Sequence, residues 1–265
     1  MGKVKIKKKS TLIDMTAMSD VTVLLLTFFM LTSTFLKKEP TVVHTPSSVS
    51  EEMIPGKNLV QVLISSADLA DNVKDDATAI EGKIFLSFQG DSTLTSEDLR
   101  QQILEAAVGK YNSQHPSSKV ELTPKMISNF RSANMLGMPF RAMNEVMNME
   151  MSEIDKIQSN LADPRVGIPI DSKHHDKNGQ LNDFQVWMAA INTVAQKSLN
   201  DASQGGATVE EIRDREIFFN AVTKGEGISI KADRDTPYDV IHQVLDNMQT
   251  MNLNKFSLQT ALKTE

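Results

Sequence analysis

The sequence contains no cysteine and only 12 glycines and 9 prolines among its 265 residues. The absence of cysteine excludes thiolate metal sites, thiol catalysis and structural disulfides, although an oxidising compartment also tolerates a cysteine-free chain. A glycine-rich phosphate loop, a nucleophile elbow and a His-Glu-x-x-His motif are absent as well. These absences predict no enzyme, no cofactor and no metal site, and the composition excludes collagen-like and multi-span membrane proteins.

The charge is unevenly distributed along the chain. Residues 1–38 carry seven lysines against Asp14 and Asp20, a net charge of +5, whereas the remainder carries 21 basic and 32 acidic residues, a net charge of −11. Such an asymmetry indicates a basic arm and an acidic body in different surroundings. The acidic body disfavours nucleic acid as a partner.

A continuous apolar segment, residues 21–31, lies between two blocks of lysines. Extended to 15–36, it forms a helix of roughly 30 Å, which is the thickness of the hydrocarbon core of a bilayer. Five lysines within the first nine residues place the N-terminus in the cytoplasm by the positive-inside rule. A cleaved signal peptide is the alternative, but no Ala-x-Ala-like site follows the run. We therefore predict a retained, single-pass transmembrane helix.

Asp20 lies inside this segment, where a carboxylate costs about 2.5–3.5 kcal/mol on insertion scales. Acidic residues in spans mark proton relays or ion paths, and the alternative is a carboxylate that reaches the cytoplasmic interface. At about 100° per residue, Thr16, Thr27 and Thr34 fall near the meridian of Asp20. We predict that these four residues form a polar face directed at another protein or a water-filled pore.

Residues 13–35 read Ile-Asp-Met-Thr-Ala-Met-Ser-Asp-Val, followed by a leucine-rich run that contains Phe-Phe-Met. This pattern resembles the N-terminal signature of the ExbD/TolR family, which usually has proline at the position of Ala17 and an apolar residue at that of Ser19. The resemblance implies a small subunit of a proton-driven inner-membrane motor. It also implies that Asp20 is the proton carrier and that Asp14 is the second acidic position of the family, just before the span.

The same resemblance implies partners and a location. The chain is expected to form a homodimer whose spans lie inside a ring of an ExbB/TolQ-like multi-span subunit. Its periplasmic domain is expected to act on a TonB-like energy transducer that serves outer-membrane transport. The alternatives are a TolR-like role in envelope maintenance, a MotB-like or gliding stator subunit, and, from a different class, a signal-anchored periplasmic binding module or enzyme with an inert anchor.

The predicted fold is a single transmembrane helix followed by an α+β periplasmic domain. In this domain a small sheet packs on helices and carries a largely helical insertion. The predicted boundaries are a basic cytoplasmic tail at 1–14, the transmembrane helix at 15–36, a linker at 37–57, and the periplasmic domain at 58–265 with the insertion at about 104–224.

The first strand–helix unit of the predicted sheet follows the linker. Alternating Val, Leu and Ile residues predict a strand at 58–65, and a second apolar run predicts a strand at 83–88. Thr95, followed by Asp98 three residues later, resembles a capping box and predicts the start of a helix.

The second unit lies near the end of the sequence. A strand at 227–233 precedes a helix that is expected to be capped by Asp235 or Thr236, with Pro237 in its first turn. A last strand is predicted at 255–260. This order is similar to the β-α-β ending of the ExbD/TolR family.

Seven methionines lie between residues 126 and 151. They are predicted to fill the core, with a plastic surface for a partner as the alternative. A Cu(I) site is disfavoured, because on a helix Met149 points away from Met147 and Met151.

Two remaining segments are predicted from their polarity. His174, His175 and Asp176 are expected in a solvated loop, since no third metal ligand follows at a typical spacing. The amphipathic pattern at 181–200 predicts a helix that ends at the Gly205–Gly206 pair.

Overall fold

The structure is a computed structural model of the chain, and it describes residues 15–32, 39–40, 43–48, 57–66, 82–91, 94–170, 180–234, 236–259 and 261–262. The chain divides into two compact units, Met1–Lys38 and Glu39–Glu265. The first unit contains one described helix. The second contains the remaining helices and all the described strands.

The elements are numbered in chain order. The helices are α1 (Met15–Thr32), α2 (Ser96–Gln114), α3 (Pro124–Ser132), α4 (Phe140–Val146), α5 (Met151–Gln158), α6 (Asp183–Gln204), α7 (Val209–Lys224) and α8 (Tyr238–Thr250). The strands are β1 (Ser47–Ser48), β2 (Leu59–Ser66), β3 (Gly82–Gln89), β4 (Ile228–Ala232), β5 (Ser257–Leu258) and β6 (Ala261–Leu262).

The second unit is built on a four-stranded mixed sheet with the strand order β3-β2-β4-β5. The strands β2 and β3 pair antiparallel, whereas β4 pairs parallel with β2, and β5 parallel with β4. Parallel neighbours need a crossover connection, which α8 supplies between β4 and β5. The predictions of strands at 58–65, 83–88 and 227–233 are confirmed to within one or two residues.

The two faces of the sheet belong to two hydrophobic cores. On β2, alternate residues such as Val60, Val62 and Ile64 are buried in the main core with residues of the helices. Leu63 points to the opposite face and packs with Phe85 of β3 in a smaller cluster. The period of two along β2 therefore produces a strand that is buried on both sides.

A column of five aromatic rings connects the helices of the main core. The ring centroids are 4.3 Å apart for His115 and Tyr111, 4.5 Å for Tyr111 and Phe140, 4.9 Å for Phe140 and Trp187, and 5.7 Å for Trp187 and Phe130. All four pairs are close to parallel. Aromatic pairs contribute about 0.5–1.5 kcal/mol each beyond their area burial, so the column fixes α2, α3, α4 and α6 against one another.

Local capping explains where α2 and α6 begin. The side chain of Thr95 accepts a hydrogen bond from the backbone N–H of Asp98 at 3.2 Å, as predicted. At the start of α6, Asn182 and Gln185 form a reciprocal capping box. The helix ends at Gln204 with Gly205 as its C-cap, so the predicted helix at 181–200 and its glycine stop are confirmed.

The prediction that Thr236 could cap α8 is wrong. The N-cap is Pro237, which makes no capping hydrogen bond through its side chain, and the helix begins at Tyr238. The hydroxyl of Thr236 instead donates a hydrogen bond of 3.5 Å to the carbonyl oxygen of Ile64 on β2. The other candidate, Asp235, lies outside the described residues. A contact to a distant strand thus replaces local capping.

Two predicted boundaries differ from the structure. The last strand comprises Ser257–Leu258 rather than 255–260, since within the described residues only these two pair with β4. The helix α2 runs unbroken across residue 104, so an insertion that began there would divide a helix. The largely helical character predicted for this stretch is confirmed by α2 to α7.

The described residues of the predicted linker at 37–57 belong to the second unit, and two of them contact residues in or next to β4. Glu39 forms an ion pair with Lys231 of β4 at 2.7 Å. The backbone N–H of His44 donates to the carboxylate of Asp233 at 3.0 Å. Because these partners lie almost 200 residues away in the chain, the local composition of the segment carries no signal of the contacts.

The methionine-rich segment contributes to the core, as predicted. Five of its methionines are buried: Met126, Met135, Met138, Met143 and Met147. Met149 and Met151 are partly buried against the main core, whereas Met135 belongs to the smaller cluster. Met138, Met143, Met147 and Met151 are spaced almost as on one helix, but they do not share one, because α4 ends at Val146 and α5 begins at Met151.

The carboxylate of Asp183 joins α6 to α4. Its Oδ2 atom accepts a hydrogen bond from the backbone N–H of Phe140 at 2.9 Å. Burial raises the pKa of Asp183 above its usual value, while the Phe140 hydrogen bond and the charges of His115 and Arg141 act in the opposite direction. The folded chain therefore binds this proton more tightly than the unfolded chain does.

We expect Asp183 to make the free energy of unfolding fall as the pH rises. Its contribution is complete below the unfolded-state pKa of 3.8 and is lost as the pH rises through the raised folded-state pKa. An Asp183→Asn chain keeps an acceptor for Phe140 but cannot ionise, so it should not show this fall and should be the more stable chain above that window. Denaturant unfolding of the full chain in detergent, between about pH 4 and 8, measures the difference.

Asp163 provides a control of the opposite sign. Its hydrogen bonds with Arg165, at 2.8 Å from Nη2, lower the pKa of Asp163. Its contribution to stability is therefore present above the unfolded-state pKa and lost as the pH falls. An Asp163→Asn chain should be destabilised at neutral pH and converge with the wild type in acid. Parallel pH profiles for the two variants would contradict the role given to the burial of Asp183.

Candidate functional site on helix α1

The helix α1 is apolar and carries a single ionisable side chain. Its 18 residues include Asp20 and no other acidic or basic residue. At about 1.5 Å per residue, the helix is roughly 27 Å long. The side chains of residues 18–32 are all exposed, and that of Leu31 retains 86% of its accessible surface. A contiguous exposed apolar surface of this kind marks a site of contact with lipid or with another protein.

The predicted span at 15–36 is described only as far as Thr32, because residues 33–36 lie outside the described residues. Among the residues that the structure does describe, no helix combines the length and the hydropathy needed to cross a membrane. The transmembrane assignment stays a prediction.

Three threonine hydroxyls of α1, those of Thr22, Thr27 and Thr32, are hydrogen-bonded within the helix. Their Oγ1 atoms donate at 2.8–2.9 Å to carbonyl oxygens three or four residues earlier, from Thr22 to Ser19, from Thr27 to Leu24 and from Thr32 to Phe28. This geometry satisfies the hydroxyl donor without a partner outside the helix. The threonines are thereby compatible with apolar surroundings, so the demanding group on α1 is the carboxyl of Asp20.

Asp20 shares its face of the helix with Thr27. Seven residues at about 100° each bring Thr27 within about 20° of Asp20, and Leu24 and Leu31 lie on the same side. The hydroxyl of Thr27 donates to its own backbone, but its oxygen keeps acceptor capacity. It can therefore accept a hydrogen bond from a protonated carboxyl of a partner or from a water molecule on this face.

The remaining members of the predicted polar face are untested. Thr16 lies within α1, but its side chain is outside the described part of the chain. Thr34 and Asp14 are also outside the described residues. The face from Thr16 to Thr34 therefore stays a prediction.

A single carboxyl on an apolar helix has two charge states, and their free energies in apolar surroundings differ greatly. In apolar surroundings an ionised carboxylate requires a counter-charge, water or hydrogen-bond donors, whereas the neutral acid requires much less. Loss or gain of one proton at Asp20 therefore changes which environments α1 can occupy. This is the chemistry that the arrangement supports.

Outside α1, no group of three or more His, Asp or Glu side chains is placed to hold a metal ion in the described part of the chain. His174 and His175 lie outside that part. Sequence reasoning did not single out two charged groups that the fold draws inward, Arg100 on α2 and Asp183 on α6. For Arg100 the signal lay in its helical spacing from apolar residues of α2.

Residues 7–132 match the family model described as biopolymer transport protein ExbD/TolR. The match includes α1 with Asp20 and extends to the end of α3, whereas the segment 225–262 lies beyond it. No curated protein and no solved structure matches the chain. Proteins of this family are inner-membrane subunits of transport driven by the proton motive force, and they are not enzymes. The match over residues 7–132 therefore supports membership of this chain in the ExbD/TolR family of biopolymer transport proteins.

Proposed function

We propose that this chain is the ExbD-like subunit of an inner-membrane motor in which Asp20 carries the proton. Family members generally work with ExbB/TolQ-like and TonB/TolA-like partners. The observation that identifies Asp20 as the proton carrier in this proposal is the chemistry of α1. It is an exposed apolar helix inside the matched region, and Asp20 is its single ionisable group.

In this proposal α1 belongs to one membrane span at 15–36. The lysine-rich tail at 1–14 lies in the cytoplasm, because positive residues are retained there. The domain at 58–265 then lies in the periplasm. The exposure of the apolar side chains of α1 supports this placement, since they require lipid or protein around them.

The proposed motor step is a change in the charge of Asp20. The ionised carboxylate is stable only where a ring of an ExbB/TolQ-like subunit provides water or hydrogen-bond donors. The neutral acid tolerates an apolar neighbour, so protonation from one side and release to the other bias α1 between two arrangements in the ring. One charge that crosses 100 mV provides about 2.3 kcal/mol, which corresponds to a bias of about 40-fold.

The polar face defines how α1 is oriented in this proposal. Thr27, with Thr16 and Thr34 at the same meridian, is directed at the pore, and Asp14 lies just before the span. A second copy of the chain in the same ring gives a homodimer with two Asp20 carboxyls. The periplasmic domain passes the motion to a TonB-like transducer, which energises outer-membrane transport.

Replacement of the N-terminal unit tests whether the ring partner binds there. A full chain with a C-terminal affinity tag is compared with a chain whose residues 1–38 are exchanged for an unrelated single-pass anchor of the same orientation. We expect the unchanged chain to co-purify with an ExbB/TolQ-family subunit, identified by mass spectrometry, and the exchanged chain to lose it at least tenfold. The partner contacts the motor through α1, so an anchor without the polar face cannot retain it.

The control measurement is the unfolding of the domain at 58–265, which both chains share. Both chains should show the same thermal unfolding of this domain, followed by the fluorescence of Trp187, the only tryptophan. Equal recovery of the ring subunit with both chains, or full transport activity of the exchanged chain, would show that the span is an inert anchor and would overturn the proposal.

A further inference from the structure

We draw no further inference here: the strongest candidate, the edge of the sheet at β5 with the exposed side chains of Phe256 and Leu258, carries nothing because no described residue of the structure shows what covers it.

Discussion

An Asp20→Asn chain should reduce proton-driven transport to the level of cells that lack the chain. Asparagine has nearly the shape of aspartate and can form hydrogen bonds, but it does not titrate. The helix and its proposed contacts with the ring should thus be preserved, while the proposed change of charge that biases α1 between two arrangements is removed. Energised uptake through the outer membrane, normalised to the amount of the chain in the membrane, measures the loss.

The matched control for this substitution is Thr22→Val. Thr22 lies about 160° from Asp20 around α1, and its hydroxyl already donates to the carbonyl oxygen of Ser19. Valine keeps the shape of threonine, so transport should remain near the wild-type level. Normal transport by the Asp20→Asn chain would exclude a proton carrier at this position and favour an inert anchor. Equal loss in both variants would indicate general damage to the helix.

A Trp187→Ala chain should lose about 3–5 kcal/mol of its free energy of unfolding. Trp187 is fully buried and stacks between Phe140 and Phe130 as the fourth of the five rings of the aromatic column. Its removal leaves a large cavity and interrupts the column at the point where α6 meets α3 and α4. Because the substitution also removes the only tryptophan, urea unfolding should be followed by circular dichroism.

Two further variants make this measurement specific. Tyr238→Ala removes an aromatic side chain that is 70% exposed, and it should change the free energy of unfolding by no more than about 0.5 kcal/mol. Trp187→Phe keeps an aromatic ring in the column and should cost clearly less than alanine. If Trp187→Ala lowers the free energy of unfolding by less than about 1 kcal/mol, the aromatic column does not contribute strongly to the stability of the core.

The elements that sequence reasoning predicted well are those with local signals. Alternation of apolar residues identified β2, and the pair Asn182 and Gln185 occupies the capping positions of the predicted amphipathic helix. Two of the deviations come from distant contacts. Thr236 contacts Ile64 instead of capping α8. The strand β5 is limited to Ser257 and Leu258, the two residues that pair with β4 among those described. Local propensity carries no information about partners this far away.

For charged residues, too, the sequence predicted some positions and missed others. Asp20 was found because a charge in an apolar run is conspicuous in any sequence, and α1 is a helix at that place. The buried position of Arg100 was missed because charged residues are usually exposed, although its spacing from Ile103 and Leu104 matches the buried stripe of α2. Helical phase was the better guide than residue type in that case.

The parallel pairing of β2 with β4 has a consequence for how the second unit folds. The hairpin of β2 and β3 can form early, but Val60 finds its neighbour Ile228 only when most of the domain has been synthesised. Gln61 likewise meets Gln259, which lies 198 residues later. Such a high contact order slows folding and keeps an unpaired strand edge available in the meantime. While this unit is being synthesised, its central strand therefore depends on chaperones or on the early helices for protection from aggregation.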